Sequence, residues 1–159
     1  MNIKLLSTLL GKPVQDILLA NLFASENIYI SNLVIEEDEF RTNLDLHAKN
    51  IELVFTAENW FLGLEGPIGE GRKFFSGIFI KRNNDFDQVY DGWLPQNLSF
   101  LDNYLNVIHK LGIPDWKRIG KDGDAIAHRW DNLEKFSIHI TFKQDYPMII
   151  SLSIKDRRF

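Results

Sequence analysis

One short phrase, stated twice, constrains this chain more than anything else in it: Leu10-Gly11-Lys12-Pro13 near the start and Leu111-Gly112-Ile113-Pro114 in the second half. A glycine at this position accepts the left-handed backbone that follows a last helical turn, and a proline two residues on forbids continuation. Around the second copy, the stretch Val89–Trp116 reads as a turn, a short amphipathic helix and a stop. Asp91-Gly92 and Pro95 break what precedes it. Ser99 or Asp102 offers a side-chain oxygen to cap the helix. Leu101, Tyr104, Leu105, Ile108 and Leu111 recur at helical spacing and predict one buried face. Around the first copy, residues 3–23 read as helical in two pieces. Pro13 is expected in the first turn of the second piece, with Val14, Ile17 and Leu18 on its apolar face.

Strand signals fill the rest. Residues 27–35, NIYISNLVI, are β-branched and aromatic enough for an irregular strand. The acidic run Glu36–Glu39 follows as a loop. Asn43–Leu46 and Ile51–Phe55 alternate about a turn at Ala48-Lys49-Asn50, which predicts a hairpin with Ile51, Leu53 and Phe55 on one face. Residues 63–73 hold four of the ten glycines and read as a loop. Phe74–Ile80 is the next strand, closed by Arg82-Asn83-Asn84-Asp85. In the second half, His128–Trp130, Phe136–Phe142 and Met148–Ile154 repeat the order. Ile51-x-Leu53-x-Phe55 matches Ile138-x-Ile140-x-Phe142, and Phe74–Ile80 matches Met148–Ile154.

The expectation is therefore an α+β fold, an antiparallel sheet with helices on one face, built as two α-β-β-β repeats. One domain, 1–159, is expected, with halves at about 1–88 and 89–159. From phrase glycine to hairpin phenylalanine the halves differ, 55 − 11 = 44 against 142 − 112 = 30, so the first carries about fourteen extra residues. That excess is assigned mainly to the acidic segment, and loop insertions are often where function sits.

At 45% hydrophobic and 13% aromatic residues, the chain is too apolar to be disordered. With no cysteine, disulfides, thiolate metal sites and cysteine nucleophiles are all excluded. The N-terminal MNIKLLSTLLGK lacks a small-residue cleavage site, and no apolar stretch reaches the ~20 residues that span a bilayer, so a cytoplasmic protein is expected. Net charge is −4, but residues 26–65 hold nine acids against Arg41 and Lys49, a local −7. Such a field disfavours nucleic acid and favours a basic protein partner, unless it is a solvated edge that blocks promiscuous strand pairing. The basic residues Lys117, Arg118, Lys121, Arg157 and Arg158 are scattered among Asp115, Asp122, Asp124 and Asp156, too diluted for a nucleic-acid stripe.

Candidate chemistry is sparse. Asp45 and His47 share a strand face but fall short of the three protein ligands a catalytic zinc needs. His128 with Asp131 or Asp124 could supply a general base, yet no nucleophile is marked. Gly66, Gly69 and Gly71 lack the lysine and the strand–helix context of a phosphate loop. Of the tryptophans, Trp93 and Trp116 are expected to pack against the central helix, and Trp60 is the one expected at the surface. No metal or cofactor is predicted.

The order of these pieces resembles bacteriocin immunity proteins of the pyocin type and those of contact-dependent inhibition systems. Leu10-Gly11-Lys12, then Leu44-Asp45-Leu46 leading to Ile51–Phe55, is similar to their first half. Leu94-Pro95-Gln96-Asn97-Leu98-Ser99-Phe100, a helix with Val107, then Leu111-Gly112-Ile113-Pro114 is similar to their second. Segments 26–42 and 63–73 have no place in that pattern. The resemblance implies a cytosolic antidote without catalysis, binding a cognate toxin domain and occluding its active site. Nuclease toxins present basic clefts, so Glu36, Glu37, Asp38, Glu39, Asp45 and Trp60 are the expected partner contacts. A delivery chaperone for an effector, or a small enzyme using His128, are the competing readings.

Overall fold

The period-two alternation becomes the inner face of one sheet. A computed structural model describes residues 1–30, 33–82, 90 and 92–155. The strands are β1 (Arg41–Leu46), β2 (Ile51–Ala57), β3 (Lys73–Lys81), β4 (Trp116–Ile119), β5 (Ala125–Trp130), β6 (Phe136–Lys143) and β7 (Tyr146–Ile154). They lie in the order β1-β2-β3-β7-β6-β5-β4, every neighbouring pair antiparallel. With the helices α1 (Ile3–Thr8), α2 (Ile17–Ser25), α3 (Glu58–Leu62) and α4 (Tyr104–Leu111), the fold is α+β, as expected. The predicted turn at Asn83-Asn84-Asp85, the break at Asp91 and the Arg157-Arg158 tail lie outside the described residues.

Apolar burial explains which helix faces turn inward. Ile3, Leu6 and Leu9 from α1 and its end, Leu19 and Phe23 from α2, and Val107 and Leu111 from α4 share one core with the inner side chains of β2, β3, β6 and β7. Phe23 sits edge-on to Phe55 and Phe75, at 6.0 and 5.8 Å between ring centroids. Such a pair adds roughly 0.5–1.5 kcal/mol beyond its buried area. Short helices of this kind hold their shape through this packing rather than through intrinsic propensity.

The two hairpins share a register. In β2–β3, Ile51, Leu53 and Phe55 face Ile80, Ile78 and Phe75; in β6–β7, Ile138, Ile140 and Phe142 face Leu152, Ile150 and Pro147. The pairing slips at the same place in each, between Val54 and Phe55 and between Thr141 and Phe142. β2 thus maps onto β6 at a shift of 142 − 55 = 87, and β3 onto β7 at 147 − 75 = 72. In the central pair Phe79 faces Ser151, again 151 − 79 = 72, which puts an approximate two-fold axis there. Phe74–Ile80 therefore corresponds to Tyr146–Leu152, two residues earlier than sequence matching placed it. The difference 87 − 72 = 15 is the stretch 58–72, which the first hairpin carries and the second lacks, its turn residues Gln144 and Asp145 standing where Ala57 and Lys73 stand in the first.

Several expectations are corrected. Pro13 does not open α2. Residues 11–14 run beside the start of β3 instead, with Gly11 N–H donating to the Phe75 carbonyl at 2.7 Å and Val14 N–H to that of Lys73 at 2.9 Å. Asp16 caps α2, and Ile17 and Leu18 are exposed while Leu19 and Phe23 are buried. The described part of 27–35 forms no strand. β4, which the sequence reading passed over, gives the second half a fourth strand, so the halves are not identical α-β-β-β units. Asn103, not Ser99 or Asp102, caps α4, accepting from Asn106 N–H at 2.9 Å. Leu101 and Leu105 are exposed, and Val107 with Leu111 carries the buried face.

Candidate partner-binding surface

Surplus chain at one end of β1, β2 and β3 builds the most distinctive surface. Glu36–Glu39 form a turn closed by Glu39 N–H donating to the Glu36 carbonyl at 3.0 Å. The glycine-rich loop grips that turn, since Gly69 N–H donates to the Glu37 carbonyl at 3.1 Å. A Cβ on Gly69 would lie 1.8 Å from the Glu36 carbonyl oxygen, so only glycine allows this approach. Lys73 Nζ donates to the Leu33 carbonyl. The loop itself is fastened at both ends. Arg72 bonds Glu58 through Nε at 2.8 Å and Nη2 at 2.5 Å, and Asn59 Nδ2 donates to the Pro67 carbonyl at 2.9 Å. Those Arg72 hydrogen bonds hold the Glu58 carboxyl below its ordinary pKa.

The four carboxylates of Glu36, Glu37, Asp38 and Glu39 are exposed and form no ion pair among the described residues. Beside them Phe40 lies on Trp60, ring centroids 4.8 Å apart and tilted 33°. Phe40 is anchored by its carbonyl, which accepts from Ala57 N–H at 2.9 Å. Trp60 is half-buried rather than exposed, because Phe40 covers it. The structure thus brings Glu36–Glu39 and Trp60 together. Phe40, missed by sequence reasoning, completes the platform; an aromatic directly after four acids was the available signal.

Asp45 stands apart, near the opposite end of β1. It pairs with Lys81 at 3.0 Å and His47 Nδ1 at 3.3 Å, while Lys81 also reaches Glu52 at 2.5 Å. Glu52 first, and Asp45 with it, raise the Lys81 pKa. Asp45 is therefore engaged in a cross-strand ion-pair network rather than added to the acidic turn.

The other candidates separate as well. His128 is 1% exposed on the inner face of β5, ringed by Tyr104, Trp130 and Phe142. Its Nε2 lies 3.2 Å from the Tyr104 hydroxyl and its Nδ1 2.6 Å from the Ala127 carbonyl. Asp131 serves the other face, bonded to Arg129 at 3.0 Å and to the Ser137 hydroxyl at 2.6 Å. Among the described residues no carboxylate bonds His128. Trp116 lies on β4 beside His139, not against α4; Trp130 takes that place, its indole donating to the Gly112 carbonyl at 3.0 Å. Among the described residues, no three His, Asp or Glu side chains gather to hold a metal, and no helix is long and apolar enough to cross a membrane. No family model matches the chain, and no curated protein or solved structure matches it.

Proposed function

We propose that this chain is an immunity protein that binds a cognate bacterial toxin and occludes its active site, with the acidic turn facing a basic cleft. The observation that carries the reading is the set of four neighbouring carboxylates, Glu36, Glu37, Asp38 and Glu39, which form no ion pair among the described residues and are fixed in place through backbone bonds. A preorganised, uncompensated charge patch accelerates encounter with an oppositely charged partner and loses little entropy on binding. The resemblance of the chain's phrases to pyocin-type immunity proteins points the same way. His128, buried among rings and bonded to no carboxylate among the described residues, gives the enzymatic reading no comparable support.

The test has two steps. The tagged chain is used to capture a partner from the producing bacterium, and the captured toxin is then assayed with and without it. Protection from the toxin, in cells and in the purified reaction, is the expected result. A bound partner that stays fully active would instead identify a delivery chaperone. Charge reversal at all four positions, Glu36→Lys, Glu37→Lys, Asp38→Lys and Glu39→Lys, should slow association by about tenfold or more at low salt and flatten its salt dependence. Unchanged kinetics would remove this surface from the interface.

A further inference from the structure

We infer that the partner segment seated on this surface is both cationic and apolar, an amphipathic stretch rather than a merely basic one. The inference rests on the immunity reading for its biological context but stands on its own observations. Acids alone do not distinguish a docking site from a solvated turn. Here, however, exposed aliphatic side chains accompany them: Val34 is 62% exposed, Leu62 51% and Leu64 52%. These residues belong to the same knot. Leu64 N–H donates to the Asn59 carbonyl, Asn59 N–H to that of Glu70, and Gly69 N–H to that of Glu37. Glu65 and Glu70, both exposed, lie in the same loop.

The position in the fold separates this patch from the molecule's other exposed apolar side chains. Leu62 and Leu64 lie within 58–72, the stretch by which the first hairpin departs from its counterpart. Leu101, before α4, and Leu105, within it, are similarly exposed, but the acid next to them in sequence, Asp102, is already bonded to Lys110. The first patch sets apolar contact beside four exposed carboxylates that form no ion pair among the described residues, with Arg41 lying over Phe40 and Arg72 engaged with Glu58 at its margin. A partner that matches it places Lys or Arg opposite Glu36–Glu39 and aliphatic side chains against Leu62 and Leu64. Burial of the apolar part would keep the complex together in salt that screens the charges.

Two synthetic peptides test this, each about 18 residues long with equal numbers of lysines. One carries leucines along a helical face, and the other has every leucine replaced by serine. Binding to the whole chain is measured by calorimetry at about 50 and 500 mM salt, spanning strong and weak screening. The leucine peptide should bind about tenfold tighter and keep most of that advantage at high salt. The double variant Leu62→Ser/Leu64→Ser should lose the advantage, whereas Leu101→Ser/Leu105→Ser should keep it. Equal binding of both peptides, or equal loss in both variants, would overturn the inference. Toxin protection without peptide selectivity would overturn the inference alone. Selectivity without a protected toxin would overturn the immunity reading and leave the surface chemistry standing.

Discussion

At Gly69 the surface depends on a missing atom. Its backbone lies so close to the Glu36 carbonyl that any side chain forces the turn and the loop apart. Gly69→Ala should therefore lower stability by about 1–3 kcal/mol, read as a fall in the thermal midpoint. It should also weaken partner binding by displacing Glu36–Glu39, so an unchanged midpoint with unchanged affinity would refute the close approach. His139 offers a second single-residue test. It is half-buried on the outer sheet face, and burial first, then the Arg129 and His128 charges, lowers its pKa below the usual histidine range. The unfolded chain thus takes up a proton at a higher pH than the folded chain does. Stability from this site is complete above the unfolded value of about 6.5 and declines as pH falls below it. His139→Gln should flatten the stability profile as pH falls below about 6.5, while an equally steep profile would assign the acid sensitivity elsewhere.

At the scale of elements, α4 shows what the sequence makes legible and what it hides. The stop at Gly112 and Pro114 is written in residue chemistry, since left-handed backbone and a missing N–H are local requirements. The inward face is not, because α4's apolar residues cover a wider arc than the sheet can bury. The start is hidden too: three capping-type residues, Ser99, Asp102 and Asn103, compete within five positions. Asn103 takes the cap, while Asp102 is drawn into a staple that accepts from Ser99 N–H at 2.7 Å and from Lys110 Nζ at 2.7 and 2.8 Å. Asp102→Ala would leave the Ser99 N–H without its acceptor and the Lys110 ammonium with the Asn97 carbonyl, at 2.7 Å. It should cost about 2 kcal/mol, roughly what an orphaned donor costs, measured by urea denaturation. A cost near zero would mean water replaces the carboxylate. The same division runs through the sheet. β2 and β6 are marked by alternating apolar residues, and β3 and β7 by continuous β-branched and aromatic runs. β4 was missed because all four of its side chains are exposed and so leave no period-two signal. Glu36–Glu39 and Trp60 were found as residue types, but their meeting with Phe40 and Gly69 is set by hydrogen bonds across thirty residues of chain, beyond the reach of any local pattern.

For the whole molecule, the approximate two-fold axis between β3 and β7 divides frame from addition. Matching registers and matching slips in β2–β3 and β6–β7 mean that the second hairpin is a template for the first without its insertion. Sequence arithmetic placed the first half's excess before the hairpin. The structure adds 58–72 inside it, beyond the reach of a count that ended at Phe55. If 58–72 serves recognition rather than folding, it is removable. Deleting it and closing β2 onto β3 through Asn-Gly, in place of Ala57 and Lys73, should still give a folded sheet, since that dipeptide suits a two-residue hairpin. The thermal midpoint should fall, because Phe61 no longer stacks on Phe74 at 4.3 Å and Lys73 no longer holds Leu33. Far-ultraviolet dichroism should stay close to that of the full chain, while affinity for the toxin, and for the leucine-bearing peptide, should drop by at least about tenfold. Loss of cooperative unfolding in the deletion would make 58–72 part of the frame. Retained affinity would move the partner to another face of the sheet.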